Sequence, residues 1–123
     1  MAKTIITSDD VFFLFRDVTG GADIDDVYDE YGYFNLETPN DRKEFIKKCL
    51  VNAFSTMTNE QKSNLKSSLY YFAFHDSKTI KTEAPSYLFP FSFPDDVSMF
   101  LKEIWHTFFD DNYSLDNLDI TIV

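Results

Sequence analysis

Three observations predict an all-α fold. Apolar residues recur at helical spacing in two long stripes, cap residues stand at the starts of the helical segments, and glycines and prolines fall between the segments. The expected architecture is one irregular domain over residues 1–123, with about five helices and a tail that suits either a short helix or a closing strand.

The first helix starts at Thr7 or Ser8, with Asp9 and Asp10 in its first turn, where carboxylates meet the positive end of the helix dipole. Val11, Phe12, Leu14, Phe15 and Val18 give it an apolar side, and Gly20-Gly21 is the expected stop. A second short element covers residues 23–31, where Ile24, Val27, Tyr28 and Tyr31 recur at helical spacing and Gly32 closes the run. Residues 33–38 read as a loop or a short extended piece.

Thr38-Pro39 opens the third helix, since proline is tolerated in a first turn. Its stripe is Phe45, Ile46, Cys49, Leu50, Ala53, Phe54 and Met57. Thr58 and Gln61 then form a capping box for a fourth helix that runs to about His75. Leu65, Leu69, Phe72 and Ala73 mark its inner face, with Tyr70 and Tyr71 beside them. Ser77 to Thr82 alternates and is polar enough for a loop or an edge strand. Prolines 85, 90 and 94 exclude a helix from the segment that follows. There Phe89, Phe91 and Phe93 suit a loop pinned over the core better than an exposed aromatic grip. The last helix opens at Pro94-Asp95-Asp96 and carries the stripe Val97, Phe100, Leu101, Ile104, Trp105, Phe108 and Phe109. Leu115, Leu118, Ile120, Ile122 and Val123 form the tail.

Composition narrows the function. The chain has 44% apolar residues, 14 phenylalanines and a net charge of −10. That much apolar side chain offsets ordering entropy, so disorder is disfavoured. Excess negative charge repels phosphate, which disfavours direct nucleic-acid binding and anionic membranes. The single cysteine, Cys49, allows no internal disulfide, and this fits a reducing compartment. The apolar run at the N-terminus is too short for a signal peptide, and no stretch approaches the ~20 apolar residues of a membrane span. The expected location is the cytosol.

The charge is unevenly placed. Residues 1–41 are net −8, residues 42–83 are net +4 and residues 84–123 are net −6. The basic middle holds Arg42, Lys43, Lys47, Lys48, Lys62 and Lys66, placed by the pattern on polar helix faces, where they either pair with the acidic ends or stay solvated. Asp9, Asp10, Asp95 and Asp96 fit helix starts. Asp23, Asp25, Asp26, Asp29 and Glu30 exceed what capping explains, and they alternate with Tyr28, Tyr31 and Tyr33. Tyrosine supplies contact area at low entropy cost and carboxylates steer encounter, so this run, with Asp110 and Asp111, is the candidate partner-binding surface.

No reaction is legible. A calcium loop starting at Asp23 has Tyr28 where glycine is required, and one starting at Asp110 has Leu115 there. His75, His106 and Cys49 lack zinc-ligand spacing. No phosphate loop, dinucleotide fingerprint or nucleophile elbow is present. No catalytic residue, metal or cofactor is therefore expected.

A small acidic helical chain carrying the acid-and-tyrosine run from Asp23 to Tyr33 resembles bacterial immunity proteins, of the nuclease-colicin and contact-dependent growth-inhibition kinds. The resemblance is one of type over the whole chain. It implies a cytosolic, non-enzymatic inhibitor of a basic toxin domain, a nuclease above all, that docks acids at or beside the toxin's active site. A second reading is a phage-type DNA mimic that blocks a host defence nuclease. It needs acids spaced along one elongated face, and the net +4 middle argues against it. A small hydrolase working through carboxylates ranks third.

Overall fold

The two ends of the chain are paired. Strand β1 (Thr4–Ile6) runs parallel to β2 (Ile120–Ile122), with Thr4 opposite Ile120, Ile5 opposite Thr121 and Ile6 opposite Ile122. The Thr4 N–H donates to the Asp119 carbonyl at 2.7 Å and the Val123 N–H to the Ile6 carbonyl at 2.8 Å. The computed structural model describes residues 4–16, 35–87, 93–109, 113, 115 and 119–123. In order, the elements between the strands are α1 (Ser8–Phe13), α2 (Pro39–Phe45), a π-helical turn (Ile46–Leu50), α3 (Val51–Ser55), α4 (Asn59–Phe74), α5 (Ser77–Glu83), a 3-10 turn (Ala84–Tyr87) and α6 (Val97–Phe108). The fold is mostly α, and α2, the π turn and α3 form one rod. The tail resolves as a strand, and the β-branched run Thr4–Ile6, not expected as a strand, is its partner.

Thr7 is extended and its Oγ1 accepts from the Asp9 N–H, so it is the cap of α1. The regular helix stops at Phe13, before the glycine pair expected to end it. The N–H groups of Leu14 and Phe15 tighten onto the carbonyls of Val11 and Phe12, and Arg16 Nη1 donates to the Phe13 carbonyl at 3.0 Å. Arg16 Nη2 also reaches the Ala53 carbonyl at 2.9 Å and Thr56 Oγ1 at 2.8 Å, which ties α1 to the end of α3. Gly20-Gly21 and the element expected over residues 23–31 lie outside the described residues.

Thr38 caps α2 by accepting from the Asp41 N–H, with Pro39 in the first turn. The predicted stripe is buried except for the partly covered Phe54, but its centre widens by one residue. The Val51 N–H bonds to the Ile46 carbonyl, five residues back, and Ile46, Cys49 and Leu50 stay in the core. Thr58 and Gln61 make both bonds of the capping box at the start of α4. Residues 77–83 are helical, not a loop or an edge strand. Ile80 is fully buried and anchors one turn of α5, while its other side chains are polar and largely solvated. The start of the proline segment, expected to hold no helix, forms a 3-10 turn over Ala84–Tyr87, where the missing N–H of Pro85 stops the α-helical pattern of α5 from continuing. Asp96 caps α6, its Oδ1 accepting from the Met99 N–H at 3.0 Å.

Helices α4 and α6 make the most extensive packing, and α1 and β1 also lie on α4. Trp105, Phe15, Phe45, Phe72 and Phe100 are the largest buried side chains. Phe93 packs among Phe12, Phe15 and Phe100, with ring centroids 5.3 Å apart for Phe15 and 5.5 Å for Phe100. It is pinned over the core as expected, while Phe89 and Phe91 lie outside the described residues. Among the described residues every buried side-chain nitrogen and oxygen has a hydrogen-bond partner.

Candidate functional site

Pairing the strands has an electrostatic result. Segments from the first and last thirds of the sequence meet at β1 and β2, which sets Asp119 beside Thr4. They meet again where the Asp95 N–H donates to the Glu37 carboxylate at 3.2 and 3.3 Å. The predicted partner-binding residues Asp23, Asp25, Asp26, Tyr28, Asp29, Glu30, Tyr31, Tyr33, Asp110 and Asp111 all lie outside the described residues. What the structure describes is the surface around the strand junction.

A polar groove opens there between β1 and α4, with a volume of about 440 Å³. Thr4, Ile5 and Thr7 form one wall, Glu60, Ser63 and Asn64 the other, and Asp10 and Ser67 also line it. Glu60, Ser63, Asn64 and Ser67 reach it from successive turns of α4, which is what spacings of three and four residues accomplish on a helix. Ser68 organises the inner side. Its Oγ accepts from the Thr7 N–H at 3.2 Å and donates to Asp10 Oδ2 at 2.9 Å. Ser67 Oγ and the Tyr113 hydroxyl are 2.8 Å apart and share a hydrogen bond. Burial pushes the Asp10 carboxyl above its usual range and the neighbouring Asp9 charge adds to this, against the opposing pull of the Ser68 hydroxyl. Asp9, Glu60 and Asp119 are exposed around the same junction.

Asp10 therefore does more than stabilise a helix start, which is the only part the sequence assigns it. The signal in the sequence is Ser67-Ser68. Position 68 lies one turn from Leu65 and Phe72 and next to Leu69 on the inner face of α4, and a hydroxyl there demands a partner.

The basic middle divides in a way its pattern did not predict. Arg42 is buried rather than on a polar face: Phe45 and Ile46, three and four residues later, share its side of the rod, and its charge is met by Glu103. Lys62 stands over the Phe54 ring at 4.9 Å and Lys66 over the Tyr113 ring at 5.0 Å. Phe54 stacks on Phe108 at 4.4 Å, so these cations cover an aromatic ledge on the α3–α6 side. Lys43 and Lys47 are exposed. A smaller hollow of about 250 Å³ lies at the α4–α5 corner beside His75, Asp76 and Lys78.

Among the described residues no three His, Cys, Asp or Glu side chains come together as a metal site. No described helix is long and apolar enough to cross a membrane. The groove offers carboxylate, hydroxyl and amide acceptors, which is chemistry for holding a cation. No family model, curated protein or solved structure matches the chain.

Proposed function

We propose that this chain is a cytosolic immunity-type protein that binds and neutralises a basic toxin domain, a nuclease being the favoured class, and that it has no catalytic activity of its own. The observation that supports this reading is the surface around the β1–β2 junction, where Asp10 and Glu60 line one groove and Asp9 and Asp119 stand exposed beside it. A nuclease site is basic because it holds phosphate, and an acidic surface of this kind docks on it quickly and in a salt-dependent way.

The test is a pull-down with the tagged protein from its source cells, washed at low and then high salt. One basic polypeptide that elutes with salt is the expected result. Reversing the charges of Asp25, Asp26 and Asp29 weakens its capture while the far-ultraviolet circular dichroism stays unchanged. A captured defence nuclease would replace this reading with the DNA-mimic one, and equal capture by the triple variant would remove the 23–33 run from the interface.

A further inference from the structure

We propose that the groove between β1 and α4 is a socket for one arginine side chain of the basic partner, with Asp10 as its counter-ion. This rests on the immunity reading for the source of the arginine, but the groove carries the chemistry by itself. Asp10 meets it from a half-buried position, held on one oxygen by Ser68, and among the described residues no cation lies against it. A carboxylate withdrawn from water and left without a cation is destabilised, and an incoming guanidinium restores the missing charge.

The rest of the lining suits guanidinium in particular. Its five N–H donors need several acceptors in a small space. Glu60, Asn64 and the Ser63 hydroxyl supply them along one wall of the groove. The other wall carries Ile5, an apolar side chain left 46% exposed. Arginine's methylene stem lies on such a residue while its head reaches the acceptors. A volume of about 440 Å³ holds that side chain together with a few waters. A lysine ammonium has three donors from one point and cannot span the same acceptors.

The experiment titrates the protein with N-acetyl-arginine amide and follows backbone amide resonances by NMR. N-acetyl-citrulline amide, which has the same shape without the charge, and N-acetyl-lysine amide serve as controls. The expected result is a saturable shift at Asp10, Ser63, Asn64 and Ser67 with the arginine compound and none with citrulline. Asp10→Asn keeps an oxygen for Ser68 and removes the charge. It binds at least about tenfold more weakly, the size expected for a lost hydrogen bond between charged groups. Glu60→Gln, at an exposed position outside α1, shows a smaller loss and serves if Asp10→Asn disturbs that helix. Unsaturable shifts spread over the acidic surface, an equal response to lysine, or full affinity in both variants would overturn the socket. The two proposals fail separately. A toxin captured equally by wild type and Asp10→Asn would overturn the socket and leave the immunity reading. Saturable arginine binding in a protein that captures no toxin would leave the socket and overturn the immunity reading.

Discussion

Arg42 Nε donates to Glu103 Oε1 at 2.5 Å while Arg42 Nη1 donates to the Leu36 carbonyl at 3.2 Å. One guanidinium thus ties α2 to α6 and to the loop that precedes α2. The two partners are unequal, since the Arg42 side chain is 6% exposed and that of Glu103 38%. Removing the carboxylate strands a buried charge, so Glu103→Ala should lower the unfolding free energy by about 1–3 kcal/mol. The double change Arg42→Met with Glu103→Leu removes both charges and costs less than the sum of the two single changes. Urea unfolding reads both, and an unmoved midpoint for Glu103→Ala would contradict the pairing.

Thr58 and Gln61 hold each other's backbone N–H groups at 3.1 and 2.9 Å. Thr58→Ala loses the hydroxyl that accepts from the Gln61 N–H, and the expected cost is about 1 kcal/mol. Thr58→Ser keeps it and should lie close to wild type. Thermal melts of the two variants side by side separate the cap from the side chain's bulk.

Asp10 makes stability depend on pH. An acid whose folded pKa lies above its unfolded value keeps its proton longer in the folded state. Between the usual value of 3.8 and the raised one the folded form therefore binds more protons, so this group's contribution falls as pH rises through that window and stays reduced above it. Asp10→Asn has no such titration. Its stability relative to wild type should climb from acid to neutral pH and then level off. Denaturant midpoints of both proteins at steps from acid to neutral pH give that difference. A flat difference would show that Asp10 does not sense burial.

Cys49 is 4% exposed, on the inner face of the π turn. A thiol reagent the size of Ellman's compound reaches it only when the rod opens. Modification of the folded protein should be slow, limited by how often and how long the rod is open, and become immediate in denaturant. Fast modification without denaturant would mean that the π turn opens by itself.

Much of the helical framework is legible in the sequence because its signals are local. Thr38-Pro39, Thr58 with Gln61, and Asp96 each act within one turn of chain, and the stripes of α2 to α4 and of α6 name their own buried faces. The same reasoning fails where structure depends on distant partners. Thr4–Ile6 is three residues long and becomes a strand only because Ile120–Ile122 arrives beside it from the far end of the sequence. α5 has one core residue, Ile80, too few to show a period, so its polar pattern mimics an edge strand. The π turn adds one residue to a stripe whose paired spacing absorbs it, leaving no mark in the sequence. The groove escaped for a related reason. Asp10 and Glu60 each sit at a helix start and are explained there singly, and only the packing of α1 and β1 on α4 sets them around one opening.

The parallel register of β1 and β2 also decides how the molecule bears tension. Force applied at Thr4 and Val123 in opposite directions runs along the strands, because β1 begins at one end of the pair and β2 finishes at the other. The hydrogen bonds from Thr4 to Asp119 and from Val123 to Ile6 are then sheared together instead of being unzipped in turn. The helices packed behind them are shielded until that small clasp gives way, so a sheet of two three-residue strands is the mechanical latch of an otherwise helical domain.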